Sequence, residues 1–241
     1  SLTEGIGIRK IVHAKDFGNA LCGTGEPELE AECAANTGRT NPFSAGTFNG
    51  EIVVCDRGDY GRVEKGKNVM LAGAGGYILA NGDHWGESIV ADNHCLPAAH
   101  LGLGDSDRLL TWLASGSNHQ GSISGFSIFQ IPESGDAISP SSSRGPNLPP
   151  AEDVMKPDVI APGTQIVGAS DEASDYRFLS GTSMASPHVT GGAALLKAVH
   201  ANWTPAMIAS AITMTATPEM ARDFDGSIPT IHAVGAGRPQ L

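Results

Sequence analysis

One twelve-residue string near the carboxyl terminus constrains the fold of this chain more than any other. It runs from Gly181 to Gly192 and reads GTSMASPHVTGG. Gly181 permits a turn where a side chain would clash, and Thr182 belongs to the residue types that cap a first helical turn. Ser183 would then lie at the positive end of the helix dipole, where a developing negative charge is stabilised. The string predicts a buried helix that begins with a nucleophilic serine, the alternative being a capped buried helix and nothing more.

The same string resembles the serine motif of the subtilisin-like proteases, the subtilases. Residues 138–147 and 156–163 are similar to the cleft loop and the buried strand that precede the serine in that family, and residues 203–208 are similar to a capped helix after it. The resemblance covers residues 136–241. It implies an α/β fold, the C-terminal part of a doubly wound parallel sheet, in which Ser183 attacks the scissile carbonyl and its own backbone N–H donates to the oxyanion.

The charge balance argues against some partners. The chain has 15 Lys+Arg against 26 Asp+Glu, for a net charge of -11. This charge repels phosphate backbones and anionic lipid surfaces, so we expect neither nucleic acid nor a membrane as a partner. The longest apolar stretch, residues 69–80, is well below the ~18 residues that cross a bilayer. The chain begins at Ser1 inside a predicted strand, so the lack of a leader reflects where it was cut, and we expect a secreted protein.

Four cysteines occur, and none has the Cys-x-x-Cys spacing of a zinc site. We predict two disulfides, Cys22 with Cys33, which would close an acidic loop, and Cys55 with Cys95. The alternative is four free thiols.

The first half of the chain predicts a small strand and helix unit. Residues 1–17 suggest a strand or hairpin of the protease domain, and the segment up to Gly50 suggests a surface connection. The predicted elements that follow are a strand at 51–58, a helix at 63–73, strands at 77–81 and 94–102, a helix at 105–115 and a strand at 126–131. Their order resembles the protease-associated (PA) domain, which in subtilases is inserted before the catalytic serine. The resemblances together imply three parts, 1–17 and 132–241 from the catalytic domain and 18–131 as the PA domain.

The residues that would activate Ser183 are not recognisable. A serine hydroxyl needs a base within hydrogen-bond reach and a third group that orients the base. The family resemblance implies a histidine in His-Gly-Thr-His, an aspartate in Asp-Thr-Gly and an oxyanion asparagine, and neither string occurs here. His188, five residues after Ser183 on one helix, would point about 140° away, and we expect it to pack against the sheet. Asn81 falls on a predicted strand of the PA domain. We therefore expect a fragment that is inert alone.

Two acidic groups could be considered as metal ligands from their composition. Asp171, Glu172 and Asp175 are interpreted as a solvated turn, and Asp223 and Asp225 as a turn. The family resemblance implies that calcium is often bound, but no calcium site is matched in this sequence. Three functions stay open: a fragment of a secreted serine endopeptidase, a binding module in which the PA domain contacts substrate or partner protein, and a structural remnant. The partners expected for the first are protein or peptide substrates, the missing upstream half of the catalytic domain, and a second copy of the chain through exposed apolar surface.

Overall fold

A computed structural model describes residues 3–25, 33, 40–127, 135–150, 154–169 and 176–240. The chain divides into two compact units, residues 1–129 and 130–241, which we call unit 1 and unit 2. In the described parts of the chain, no helix combines the length and the apolar character needed to cross a bilayer.

Unit 1 is built on a five-stranded sheet of mixed direction. Its first four strands run parallel to their neighbours, and the fifth pairs antiparallel with the first. The strand order is β4-β3-β2-β1-β5. The strands are β1 (Ile6–His13), β2 (Ile52–Asp56), β3 (Gly76–Ala80), β4 (Ala98–Leu101) and β5 (Gln120–Ile123).

Helices and apolar side chains cover both faces of this sheet. A short 3-10 helix (Ala14–Phe17) follows β1, and α1 (Arg62–Leu71) and α2 (Leu103–Ala114) connect later strands. Because side chains alternate between the faces of a strand, Val53 and Cys55 of β2 enter one apolar cluster while Ile52 and Val54 enter the other. The connection after α1 needs a glycine at position 73, where φ is +104° and a Cβ would lie 2.2 Å from the carbonyl oxygen of Phe48.

The structure differs from the sequence prediction at both ends of unit 1. The sequence predicts that residues 1–17 belong to the catalytic domain, whereas β1 pairs with β2 and β5 inside the sheet of unit 1. Ile11 and Val12 pair with β2 and are buried there, one in each of the two apolar clusters of unit 1. A strand is predicted at 126–131; residues 126 and 127 lie outside any strand, residues 128–131 lie outside the described residues, and β5 occupies Gln120–Ile123, where no strand is predicted.

All four cysteines are paired, but the predicted pairing is wrong. The disulfides join Cys22 to Cys55, with Cα atoms 5.9 Å apart, and Cys33 to Cys95, with Cα atoms 5.3 Å apart. The reason is spatial. The backbone N–H of Asp56 donates to the carbonyl of Ala20 at 2.8 Å, which brings Cys22 against the end of β2. In the sheet, β3 separates β2 from the strand that follows Cys95.

The described residues of unit 2 form an antiparallel strand pair and three helices. The strands are β6 (Ile166–Ala169) and β7 (Tyr176–Leu179), and the helices are α3 (Thr182–Val199), α4 (Pro205–Thr215) and α5 (Ile231–Val234). The predicted cap of α4 is confirmed, since the hydroxyl of Thr204 accepts the N–H of Met207. The α/β class of the chain is confirmed as well. Its parallel strands lie in unit 1, and the described residues of unit 2 hold only the antiparallel pair.

Two burial predictions for unit 2 are wrong. The segment 156–163 forms no strand and is half-buried or exposed, because no described strand of unit 2 runs beside it. The helix α3 buries only Gly192, while Leu195 is 68% and Val199 76% exposed. The described segments of unit 2 leave this apolar face of α3 uncovered.

Candidate active site

Ser183 is the second residue of α3, and its side chain is exposed. The first amides of a helix have no acceptor within the helix and carry the positive end of its dipole. An anion that forms at the Ser183 hydroxyl would meet these amides. The predicted position of Ser183 at a helix start is therefore what the structure shows, while its catalytic role stays a prediction.

The turn before Ser183 differs from the predicted one. Gly181 occupies the cap position with φ of +154°, a conformation that favours glycine, and no side-chain oxygen caps the helix. Thr182 already belongs to the first helical turn. The prediction that Thr182 caps the helix is wrong, because the chain enters the helix one residue earlier.

Two hydrogen bonds fix this turn to a neighbouring segment. The N–H of Gly181 donates to the carbonyl of Gly163 at 2.7 Å, and the N–H of Gln165 donates to Oγ of Ser180 at 2.8 Å. A Cβ at position 163 would lie 2.8 Å from the carbonyl oxygen of Gly181, so the approach requires glycine. Sequence reasoning missed Ser180 and Gln165, since nothing local shows that residues fifteen positions apart would meet.

A cleft of about 610 Å³ lies beside the first turns of α3, within unit 2. The residues of α3 and its start that line it are Gly181, Thr182, Ala185, Ser186 and Val189, together with parts of 136–142 and 156–164. Ser183 itself does not line this cleft. An ion pair between Arg238 and Asp136, at 2.8 Å, joins two of the lining residues. The cleft is thus adjacent to the serine turn without being centred on the hydroxyl.

None of the three histidines of unit 2 is hydrogen-bonded to Ser183 among the described residues. The ring of His188 lies 2.8 Å from the carbonyl oxygen of Met184 and is exposed, so the prediction that it packs against the sheet is wrong. His200 stacks on Trp203 with ring centroids 3.9 Å apart. The Nδ1 atom of His232 is buried without a hydrogen-bond partner in the described part of the chain. In the described ranges of unit 2, the ring contacts of these histidines are therefore to residues other than Ser183.

The acidic turn of unit 2 is confirmed as a turn. Asp223 accepts two hydrogen bonds of 2.6 Å from Arg144, and this contact lowers the pKa of its carboxyl group. Asp225 accepts the N–H of Ser227 at 2.9 Å. Asp171, Glu172 and Asp175 lie outside the described residues. Within the described ranges, no three His, Cys, Asp or Glu side chains come together as metal ligands would.

Asn81 in unit 1 has a structural role. It follows β3 directly and is buried. Its Nδ2 donates to the carbonyls of Gly86 and Ser88, both at 2.9 Å, and its Oδ1 lies 2.8 Å from Nε2 of His100. Arg57 donates to the same Oδ1 at 3.2 Å. A side chain with every polar atom engaged inside the fold is not available as an oxyanion donor.

Burial lowers the pKa of several titratable groups of unit 1. Desolvation lowers the pKa of His94 to about 4 and that of His100 to about 4. Burial also lowers the pKa of Lys65 to about 8, against the opposing effect of Asp56 and other nearby carboxylates. Asp92 is engaged by Arg62 at 2.6 Å and lies 4.0 Å from His94. These groups belong to the packing of unit 1.

Comparison with a family model and comparison with individual proteins point to the same family. The model of the subtilase family matches residues 29–236. Three similar proteins of Arabidopsis thaliana are subtilisin-like proteases. SBT1.6 is 42% identical over 188 residues, which cover 73% of this chain and 24% of the relative. SBT1.4 is 38% identical, covering 86% of this chain and 26% of the relative, and SBT1.7 is 41% identical, covering 79% and 27%. The chain spans about a quarter of the length of these relatives.

Proposed function

The chain belongs to the subtilase family, and on that premise we propose that Ser183 is the nucleophile of a secreted serine endopeptidase. The observation that carries the proposal is the position of Ser183, exposed at the second residue of α3 in the string GTSMASPHVTGG. A serine at this point of a helix is exposed and lies in the first turn, at the positive end of the helix dipole. The two disulfides and the acidic composition support a secreted parent protein.

The reaction would be peptide-bond hydrolysis through an acyl-enzyme. Oγ of Ser183 attacks the scissile carbonyl carbon and its proton passes to a base, which later delivers a proton to the leaving amine. The oxyanion that forms accepts the N–H of Ser183 and is stabilised by the helix dipole. Water then hydrolyses the ester and restores the serine.

We propose further that the base, its orienting aspartate and the oxyanion asparagine lie outside these 241 residues. Two observations support this: the chain spans about a quarter of its relatives, and no histidine of unit 2 contacts Ser183 among the described residues. Losing general acid-base assistance costs about 10²–10⁴ in rate, and losing an oxyanion donor about 10²–10³. The chain alone is expected to be inert.

A fluorophosphonate probe tests the proposal, because it reacts only with an activated serine. We expect no labelling of the 241-residue chain and stoichiometric labelling of the full-length protein that contains it. Ser183→Ala should abolish the labelling of the full-length protein, while Ser186→Ala, a matched change one turn away, should not. Labelling of the isolated chain would refute its inertness, and labelling of the full-length protein that survives Ser183→Ala would refute the nucleophile.

For unit 1 we propose the role of a PA domain that contacts protein substrates. This is supported by its own buried core, by its strand and helix order from β2 to α2, and by its lack of the candidate nucleophile. Trp85 and Ile89 are exposed on the connection between β3 and β4. Replacing both with alanine should raise KM of the full-length enzyme for a folded protein substrate and leave KM for a short peptide unchanged. An equal change for both substrates would contradict this role.

A further inference from the structure

We propose that Ser180 is a positioning residue for Ser183, acting through its hydroxyl on the turn that begins α3. The inference rests on the proposed role of Ser183 and adds a residue to the machinery around it. Ser180 does not touch substrate in this scheme. It holds the backbone that carries the nucleophile.

The contact joins the two ends of the β6–β7 ribbon. Gln165 precedes β6 and Ser180 follows β7, and the N–H of Gln165 donates to Oγ of Ser180 at 2.8 Å. One residue further, the N–H of Gly181 donates to the carbonyl of Gly163 at 2.7 Å. The first bond uses a side chain and the second uses backbone alone. Of these two hydrogen bonds, the one to Ser180 is therefore the bond that a side chain provides.

The backbone of Gln165 makes this hydrogen bond consequential. Gln165 has φ of +52°, a left-handed conformation that is unfavourable for a residue with a side chain. Such a conformation persists when surrounding contacts hold it. The hydroxyl of Ser180 is the acceptor for the amide of this residue. Without that acceptor, we expect the segment 163–165 to relax toward an ordinary conformation.

A shift of this segment would be transmitted to Ser183. Gly163 lies close to the serine turn, since a Cβ on it would be 3.2 Å from Cβ of Ala185 in the first turn of α3. Gly181, at φ of +154°, connects Ser180 directly to the helix. A displacement of about 1 Å at a catalytic group can reduce the rate by roughly 100-fold. Loss of one hydroxyl three residues from the nucleophile is thus expected to be visible in the rate.

The hydrogen bond can be tested in the chain itself, without any activity. Amide exchange measured by NMR should show a protected Gln165 amide in the unmodified chain. Ser180→Ala should remove that protection, and Ser180→Thr, which keeps the hydroxyl, should retain it. The matched control is Ser210→Ala on α4, a serine-to-alanine change that should leave Gln165 protected. A Gln165 amide that exchanges equally fast in all four proteins would overturn the proposed contact.

The positioning role is tested in the full-length protein. Ser180→Ala should lower kcat and the fluorophosphonate labelling rate by about 10- to 100-fold with little change in KM, and Ser180→Thr should restore most of the loss. Ser210→Ala should behave like the unmodified protein. If the Ser180→Ala variant is labelled at the rate of the unmodified protein, the positioning role of Ser180 is refuted, while the role of Ser183 as the nucleophile is not affected. If the unmodified protein does not label at all, both the role of Ser183 as the nucleophile and the role of Ser180 as its positioning residue are refuted.

Discussion

The two units bury their apolar residues to very different extents. Unit 1 encloses a sheet on both faces, and residues such as Val53, Tyr77 and Leu79 are fully buried. Around α5 of unit 2 the described core is a small cluster of Ile138, Ala221, Ala233 and Val234. The helix α4 buries Ile208 and Ile212, whereas Leu195 and Val199 of α3 and Met207 and Met214 of α4 are exposed. In unit 1, the strands and helices together cover the apolar residues on both faces of the sheet. The helices of unit 2 carry apolar side chains that its own described segments do not cover.

The largest expected effect comes from removing the buried disulfide of unit 1. The bond between Cys22 and Cys55 closes a loop with a sequence separation of 33, and both residues are fully buried. Loop entropy alone predicts that Cys22→Ala with Cys55→Ala lowers the free energy of unfolding of unit 1 by about 4 kcal/mol. Hydrogen exchange read by mass spectrometry should show faster exchange in unit 1 peptides and no change in unit 2. Unchanged exchange in the unit 1 peptides would contradict the stabilising role of this disulfide.

One leucine in each unit allows the cost of a leucine-to-alanine change to be compared directly. Leu79 is 0% exposed and Leu195 is 68% exposed. Leu79→Ala should cost about 3 kcal/mol, because it leaves a cavity in a packed core. Leu195→Ala should change stability by less than about 0.5 kcal/mol. Denaturant unfolding of the two variants measures both numbers, and a large cost at Leu195 would show that α3 is covered in solution.

Acid should weaken unit 1 in particular. The pKa of His94 is about 4 in the folded chain, below its ordinary value of 6.5, so the unfolded chain binds the proton first as the pH falls. The stability that the neutral His94 ring contributes to the free energy of unfolding is present above pH 6.5, and it is lost as the pH falls from 6.5 to 4. At pH 5 the loss from a group with this shift is about 2 kcal/mol relative to pH 7.

His100, whose pKa is also lowered to about 4, adds to this loss. His94→Phe keeps an aromatic ring against Tyr77, whose ring centroid is 5.2 Å away, and should remove about half of the acid sensitivity. Urea unfolding of unit 1 at pH 7 and pH 5 provides the measurement. Identical stability of the unmodified chain at both values would refute the assignment of neutral buried histidines.

A smaller effect is expected at the start of α4 in unit 2. The hydroxyl of Thr204 accepts the N–H of Met207 at 3.3 Å. Thr204→Ala should destabilise the helix by about 1 kcal/mol, and Thr204→Ser should be nearly neutral because it keeps the cap. Exchange of amides in α4 reports the change. A variant Thr204→Ala with unchanged exchange would mean that the cap does not contribute.

The smallest change in the free energy of unfolding is expected from charges placed on the exposed face of α3. The same charges should clearly change the self-association of the chain. Leu195→Glu with Val199→Glu should shift the chain toward monomer, since exposed apolar surface favours self-association. Thr111→Glu on α2 of unit 1 is the control for added charge. Sedimentation velocity at several concentrations measures the distribution. A chain that is already monomeric at high concentration would remove the basis for this prediction.

Sequence reasoning located elements whose signals are local. The apolar run before Asp56 became β2, and the Thr204-Pro205 pair became the cap and first residue of α4. Each depends on a few consecutive residues, so neighbours along the chain are sufficient. The start of the helix at Ser183 belongs to the same class, although its capping residue was assigned one position too late.

The errors concern contacts between distant segments. The disulfide pairing depends on the approach of Ala20 to the end of β2, which no local pattern contains. The membership of β1 in the sheet of unit 1 depends on partners that are about forty residues or more away in sequence. The burial of α3 was expected from its small apolar residues, yet burial requires a covering surface, and composition does not provide one.

The hydrogen bonds of Asn81 also bear on how the protein ages chemically. An asparagine followed by glycine can lose ammonia when the glycine nitrogen attacks the side-chain amide, and Asn81 precedes Gly82. This attack requires the amide to turn toward the following backbone nitrogen. The Nδ2 atom is held by the carbonyls of Gly86 and Ser88, and the side chain is buried. The same contacts that organise the end of β3 should therefore keep this asparagine from converting to aspartate for as long as unit 1 stays folded.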